Sequence, residues 1–528
     1  MLSREYGELA GAGGVKDVAV QLSRAMAAWS GRRVSVVLPL YGFIDPASFG
    51  FKLMADPNFP EKALYFEVAM NYVDQERLEG VRVWQVKHDR VNIYLLESPR
   101  FGEKGDVYTY TGEDEIADPY KRQGEGHFDF FAMNLLLQKG ALQLMLILRE
   151  KPDVIHCHDG HTAVLPAIIR ETPWLKSYFG ATGCLVTIHN AGVGYHQEVA
   201  DLPFAHAMTG LPWRVIMQCR LQGKFDPLVC AGLYATVNTV SENYAKELQE
   251  SLADEQTGWL GHHLADLGVI LEGITNGVDS DDYSPQQGEE MGLAASFDPR
   301  FSETLIKKQE CKKQLLKELA RQVDHNELIQ YGFLDTRLDI PLFCFIGRLS
   351  EQKGIDILLE ALEKILVQHQ DFQLVVLGRG TAGIEGMIIA LAEQEQNRGR
   401  FCFLSGYDTA FAFRVYSGGD FFLVPSRYEP CGLTDFIAQL FGNLPIVHHV
   451  GGLVKVINGE TGFSYTEHSS DALVEAMERA LIAYGDKKLV QKMQKSAAEL
   501  IDKKYTWKEV KDKYLQLYRK SILNNFQL

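Results

Sequence analysis

The stretch Phe421-Phe422-Leu423-Val424-Pro425-Ser426-Arg427-Tyr428-Glu429-Pro430-Cys431-Gly432-Leu433-Thr434 decides the fold. Four apolar residues read as a buried strand, the next few as a loop, and a helical pattern begins near Gly432. A loop at the carboxyl end of a buried strand is where open α/β sheets hold ligands. This one carries a single carboxylate, Glu429, kept from becoming helical by Pro430. Cys431, Gly432 and Leu433 then offer backbone N–H groups at a helix start, which suits an anion. A sugar joined to a phosphate needs both features. An ordinary loop with a helix cap is the alternative, and the stretch alone does not separate the two.

Around it the second half alternates strand and helix. Residues 342–346, 372–377, 401–404, 421–424 and 445–450 read as strands, and 355–366 and 471–483 as helices. The first half does the same, with strands at 34–38, 81–86, 91–96, 153–158, 185–189 and 235–240. Its helices fall at 128–149 and 161–170, and another is capped by Ser241. Regular alternation with apolar strands implies parallel sheets covered by helices, an α/β class built as two Rossmann-like domains facing across a deep cleft. The expected divisions are residues 1–278, a linker at 279–290, a second domain at 291–501, and a helical tail at 502–528 that packs back on the first domain. Little chain precedes the glycine-rich run at Gly11, and only Met1-Leu2-Ser3 is left for the first strand, whereas a strand needs about five residues. The first strand is therefore expected to be truncated, or the natural start to lie upstream.

At 528 residues the chain needs two or three cores. Hydrophobic content of 46% and charged content of 23% are those of a globular protein. No apolar run approaches the roughly 18 residues of a membrane span, and the first residues lack a signal-peptide core. The eight cysteines, at 157, 184, 219, 230, 311, 344, 402 and 431, form no C-x-x-C pair and read as reduced thiols of a cytoplasmic protein. A net charge of −16 argues against nucleic acid or an anionic membrane as partner and permits a neutral polymer.

Four further motifs carry chemistry. In Gly347-Arg348-Leu349-Ser350-Glu351-Gln352-Lys353-Gly354, Arg348 and Lys353 flank a turn after a strand and suit a diphosphate, although two solvated cations would look the same. Gly11-Ala12-Gly13-Gly14-Val15-Lys16-Asp17 is half a dinucleotide fingerprint, with Lys16 where the third glycine would stand. His156-Cys157-His158-Asp159-Gly160-His161 nearly matches a metal-binding run, with the Asp one residue early, so Asp159 reads equally well as a helix N-cap. Thr187-Ile188-His189-Asn190 ends another strand.

Together with T-V-S-E-N-Y-A at 239–245, G-I-T-N-G-V-D at 273–279, and V-G-G-L and N-G-E-T-G-F between 450 and 463, these motifs resemble, in order, the bacterial glycogen synthases and plant starch synthases. The resemblance implies the GT-B fold, no cofactor and no metal. The reaction it implies is transfer of glucose, with retention, from ADP-glucose (or UDP-glucose) to the nonreducing 4-OH of glycogen or a maltooligosaccharide. It places Arg348 and Lys353 on the donor diphosphate and Glu429 on the glucosyl hydroxyls. The amides of Cys431, Gly432, Leu433 and Thr434, and of Gly451, Gly452 and Leu453, fall around phosphates and sugar. Tyr407 stacks on the base. Asp159, His189 and Asn190 face the reacting sugar, and Gly13, Gly14 and Asp17 line the donor.

Four positions depart from that pattern. Gly11 stands where a lysine is usual, Gly160 replaces a tryptophan, Asp435 a glutamine or histidine, and His448-His449 an arginine. Lys16 either replaces the missing cation or is a solvated helix residue. For the chemistry, the motifs offer no nucleophile for a double displacement. Same-face substitution is expected, with the leaving phosphate taking the acceptor proton and the His189 carbonyl stabilising the sugar cation. A metal-dependent hydrolase using the 156–161 run, and a glucan-binding protein of reduced activity, are the competing functions.

Overall fold

The computed structural model describes residues 1–29, 31–321 and 328–524. The chain forms two compact units, Met1–Gly277 with Trp507–Leu528, and Val278–Thr506.

In the second unit seven strands form one sheet, in the order Ile329–Leu334, Arg400–Ser405, Gln373–Gly378, Leu342–Ile346, Phe421–Val424, Leu444–His448, Phe463–Tyr465. Six run parallel. Counted along the chain from Leu342–Ile346, these six lie in the doubly wound order 3-2-1-4-5-6. The order reverses between Leu342–Ile346 and Phe421–Val424, so the 347–354 and 425–434 loops both leave the sheet at its switch point. Every residue of these two strands is buried, as parallel strands covered on both faces require. The sheet departs from the all-parallel expectation at one edge. Ile329–Leu334 runs antiparallel to Arg400–Ser405, and its partly exposed pattern is that of a strand with one wet side.

In the first unit Val154–His158, Gly183–Ile188, Thr236–Thr239 and Glu272–Gly273 pair in parallel, as do Val34–Pro39 and Val91–Glu97. Leu2 bridges the two groups, pairing with Val37 on one side and Cys157 on the other. Its N–H donates to the His156 carbonyl (2.9 Å), and its own carbonyl accepts from His158 N–H (3.2 Å). Residues 1–3 thus stand between the two groups of strands. Parallel pairing stops at Val91–Glu97. Leu78–His88 joins it antiparallel, and Tyr65–Ala69 follows antiparallel again. The reason is the link: Asp89 (φ 47°) and Arg90 (φ 66°) form a two-residue turn with both residues left-handed, which reverses the chain directly.

Phe130–Ile147 is the longest apolar helix of the first unit. By length and composition this 18-residue helix, of mean hydropathy 1.4, could cross a membrane. Two-thirds of it is buried inside the unit, and Lys139 midway along it donates to the carbonyls of Ala69 (2.9 Å) and Met208 (2.6 Å). The helix Trp507–Asn524 lies on this same unit. Its Trp507 indole donates to Gln21 Oε1 (2.7 Å), and Lys513 pairs with Glu242 at 2.7 Å.

Candidate active site

The 425–434 loop is the floor of the candidate site in the second unit. Glu429 is buried, and its Oε2 accepts from Lys353 Nζ (2.5 Å) and Ser426 Oγ (2.9 Å). Burial alone would raise the carboxyl pKa. The Lys353 ammonium, together with the Ser426 hydroxyl and the Lys455 ammonium, outweighs it and holds the pKa below the ordinary glutamate value. The two charged residues singled out in separate motifs therefore form one ion pair at the switch point. Gly452 N–H donates to the Glu429 carbonyl (2.8 Å), which ties the Gly451–Lys455 turn, with Leu453, to the same loop. The helix expected from Gly432 begins at Thr434 and is seven residues long. Cys431 is buried. Arg348 is exposed in the turn after Leu342–Ile346, and Tyr407 presents an exposed ring after Arg400–Ser405. Of the two histidines before the second glycine turn, His448 is buried with Nδ1 2.8 Å from the Ser426 carbonyl, and His449 is exposed.

In the first unit Asp159, His189 and Asn190 come together at the ends of Val154–His158 and Gly183–Ile188. Asp159 caps no helix, contrary to one expectation. It is left-handed (φ 58°), and its Oδ1 accepts from the N–H groups of His189 (2.6 Å) and Asn190 (3.4 Å). The next helix, Leu165–Glu171, starts only after Val164. The carboxylate thus fixes the His189 peptide, whose carbonyl accepts no hydrogen bond among the described residues. His189 is buried and neutral, its pKa pushed down to about 3 by burial.

The histidine run has its own partners. Thr187 Oγ1 donates to Asn238 Oδ1 (2.7 Å) and so accepts from His156 Nε2–H (2.7 Å), leaving His156 Nδ1 to accept from Tyr518 O–H (3.0 Å). His158 Nδ1 meets His189 Nε2 at 2.9 Å, and His161 stacks on Tyr108. Among the described residues no group of three or more His, Cys, Asp or Glu side chains is arranged to hold a metal ion.

The glycine-rich loop differs most from expectation. Glu5 Oε2 accepts from both Ala12 N–H and Gly13 N–H at 2.8 Å, and Tyr108 O–H donates to Glu5 Oε1 (2.7 Å). The Gly13 amide is therefore already engaged by a carboxylate. Gly14 caps the helix Val15–Ala27, with Asp17 in its first turn. A Cβ at Gly11 would lie 2.3 Å from Lys16 Cδ, so the Lys16 stem crosses the space where a side chain at 11 would start. At Gly160 a Cβ would lie 2.3 Å from the His196 carbonyl oxygen. Backbone fills the place of a side chain there, and His196 is itself pinned between Asp226 (2.7 Å) and the Ala191 carbonyl (2.7 Å). Glu5, Tyr108 and Ser426 were not foreseen. Only Ser426, three residues before Glu429, stood inside a motif that could have drawn attention to it.

Asp159 sets a pH dependence. Burial pushes its carboxyl up from 3.8 to about 7, despite the two amides. The unfolded chain ionises it near its ordinary pKa and the folded chain only near 7. Its contribution to stability is therefore fully present below pH about 4 and lost as pH rises to about 7. Asp159→Asn, which keeps an acceptor oxygen, should gain stability relative to wild type across that window and hold a constant difference above it. Urea denaturation from pH 4.5 to 8.5 measures this, and a difference independent of pH contradicts it.

Two family models match the chain: the starch synthase catalytic domain over residues 1–265 and glycosyl transferases group 1 over residues 334–500. A glycogen synthase of Anaeromyxobacter sp. (strain Fw109-5) is 31% identical over 96% of this chain and 96% of its own. Another, from Aeromonas hydrophila subsp. hydrophila, is 29% identical over 97% of this chain and 95% of its own. The solved catalytic domain of starch synthase IV from Arabidopsis thaliana, bound to ADP and acarbose, superposes with a TM-score of 0.77 at 24% identity, covering 99% and 98% of the two chains. The fold is thus the α/β GT-B type, and the chain belongs to the starch synthase catalytic-domain family of glycosyltransferases. It is an enzyme of the glycogen synthase type, extending a glucan by glucosyl transfer from a nucleotide sugar.

Proposed function

We propose that the donor is ADP-glucose and that glucose passes with retention to the nonreducing 4-OH of an α-1,4-glucan, without a metal. The observation that carries this reading is the buried Lys353–Glu429 pair at the switch point, beside a loop whose Gly432 and Leu433 N–H groups donate to no protein acceptor among the described residues. In this reading Lys353 and Arg348 neutralise charge growing on the leaving diphosphate, and Glu429 orients the glucosyl hydroxyls. Tyr407 stacks on the base. In the first unit Asp159 holds the His189 carbonyl toward the sugar as it gains positive character, and Asn190 contacts the sugar. No carboxylate is required as nucleophile: the diphosphate oxygen that leaves takes the proton of the attacking hydroxyl on the same face. The ADP bound by the plant starch synthase supports the choice of base. Eight free, buried cysteines fit a reducing, cytoplasmic setting.

The test is competition between ADP-glucose and UDP-glucose at equal concentration with glycogen as acceptor, followed by NMR of the new linkage. ADP-glucose is expected to be preferred and the linkage to be α. Preference for UDP-glucose refutes the donor assignment, and a β linkage refutes retention.

Lys16 is assigned the diphosphate-facing charge that position 11 lacks, because its stem already crosses Gly11. Lys16→Ala should raise the donor KM roughly tenfold, the worth of one charge-assisted contact. An unchanged donor KM makes Lys16 a solvated helix residue.

A further inference from the structure

Lys455 lies behind the loop that carries Glu429. Its side chain is 4% exposed, and its ammonium donates to the carbonyls of Cys431 and Gly432 (2.8 Å for the latter). The same group is 3.1 Å from Asp435 Oδ1 and 4.2 Å from the centre of the Phe436 ring. Asp435 is fully buried, and Gln439 Nε2 donates to its second oxygen (3.2 Å). A trans peptide is planar, with its N–H directed away from its C=O. Drawing the carbonyls of 431 and 432 back onto Lys455 therefore turns the N–H groups of Gly432 and Leu433 the other way. Neither N–H donates to a protein acceptor among the described residues. Gly432 is left-handed (φ 75°) and Leu433 right-handed (φ −90°, ψ −34°), and this alternation of hand makes successive N–H groups converge on an anion. Only glycine fits at 432, since a Cβ would lie 2.6 Å from Asp435 Oδ1. Lys455 also ends the Gly451–Lys455 turn, so one cation links both glycine loops of the site.

We propose that Lys455, held by Asp435, is a positioning residue that aims the Gly432 and Leu433 amides at the anionic leaving group of the donor. The proposal rests on the donor-site reading given above. It differs from a purely structural role in what it perturbs: affinity for a nucleoside diphosphate, and not affinity for glucan.

The test compares the full-length wild type with Lys455→Met, Lys455→Arg and the double variant Lys455→Met/Asp435→Asn. ADP binding is read by calorimetry, donor and glycogen KM by steady-state kinetics, and folding by thermal melts. Lys455→Met alone strands a buried carboxylate and is expected to melt earlier. The double variant leaves no charge stranded behind the loop, so its melting temperature should recover while ADP affinity stays at least about tenfold weaker, as for one or two lost amide contacts. Its glycogen KM should not change. Lys455→Arg, which keeps the cation and its donors, should fall between wild type and the double variant in ADP affinity. A double variant with wild-type ADP affinity overturns the proposal, and so does an equal loss for donor and glycogen. A wild type that binds no ADP removes the donor reading and this proposal with it, a result distinct from either of those.

Discussion

Lys353→Ala is expected to lower turnover about 100- to 1,000-fold, the loss that follows removal of one charged contact made mainly in the transition state. Lys353 stands 2.5 Å from Glu429, and only a small part of its side chain reaches solvent. In the resting site it neutralises that carboxylate; in the proposed reaction it faces a phosphate whose charge is growing. Glu429→Ala should lose a similar factor, because the hydroxyl acceptor goes and Lys353 is left unpaired. The two substitutions differ in pH behaviour. In wild type the folded Glu429 pKa lies below its ordinary value, so the pair's contribution to stability is present above the usual glutamate range and lost as pH falls through the folded value. Without Lys353 the carboxyl loses the largest of the influences that lower its pKa while burial still raises it, so its pKa rises. Relative to wild type, the Lys353→Ala enzyme should therefore lose stability as pH rises above the usual glutamate range. Single-turnover rates at saturating donor, with melts across the same pH range, measure both. Wild-type rates in either variant remove that residue from the chemistry.

Trp507→Ala is expected to destabilise the first unit by about 3–5 kcal/mol, the range for truncating a buried large aromatic side chain. Trp507 is 4% exposed and opens the helix Trp507–Asn524. Its indole N–H finds Gln21 Oε1 (2.7 Å) on Val15–Ala27, and its ring covers Gly277, where a Cβ would come within 2.6 Å of it. Alanine there opens a cavity and leaves the Gln21 oxygen without its donor. The loss is about a fifth or more of a typical domain stability. Trp507→Phe should recover most of the packing but not the hydrogen bond. Urea midpoints monitored on the first unit test this. An unchanged midpoint in Trp507→Ala would mean the terminal helix contributes nothing to that unit's stability.

The parallel core was legible because burial on both faces leaves its mark in composition. Leu342–Ile346 and Phe421–Val424 are wholly apolar and begin and end where their sequence indicates. The antiparallel additions were not legible. Asp89 and Arg90 turn the chain with left-handed backbone but without the glycine that marks such a turn, and Ile329–Leu334 lacks a clean alternation. The helices Lys308–Leu319 and Lys487–Lys504 carry so many lysines that their apolar stripes are hard to see.

At the site, Lys353 and Glu429 stood in two separate motifs, and their meeting at 2.5 Å follows from strand order, which no local pattern contains. Glu5 could not be read as a partner of the glycine loop, since its geometry depends on where residues 1–3 enter the sheet. Asp159 was half legible. Its place after a strand was clear, but its role in holding two amides of the neighbouring strand's loop depends on a left-handed backbone at a non-glycine residue.

The most direct test of glucosyl transfer at the Lys353–Glu429 site is elongation of glycogen by the purified full-length protein from radiolabelled ADP-glucose, with and without a chelator. Label should enter the glucan at the same rate in both, and treatment with an α-1,4-specific exo-hydrolase should release it as glucose. No incorporation from ADP-glucose, or incorporation abolished by the chelator and restored by zinc, would contradict the account.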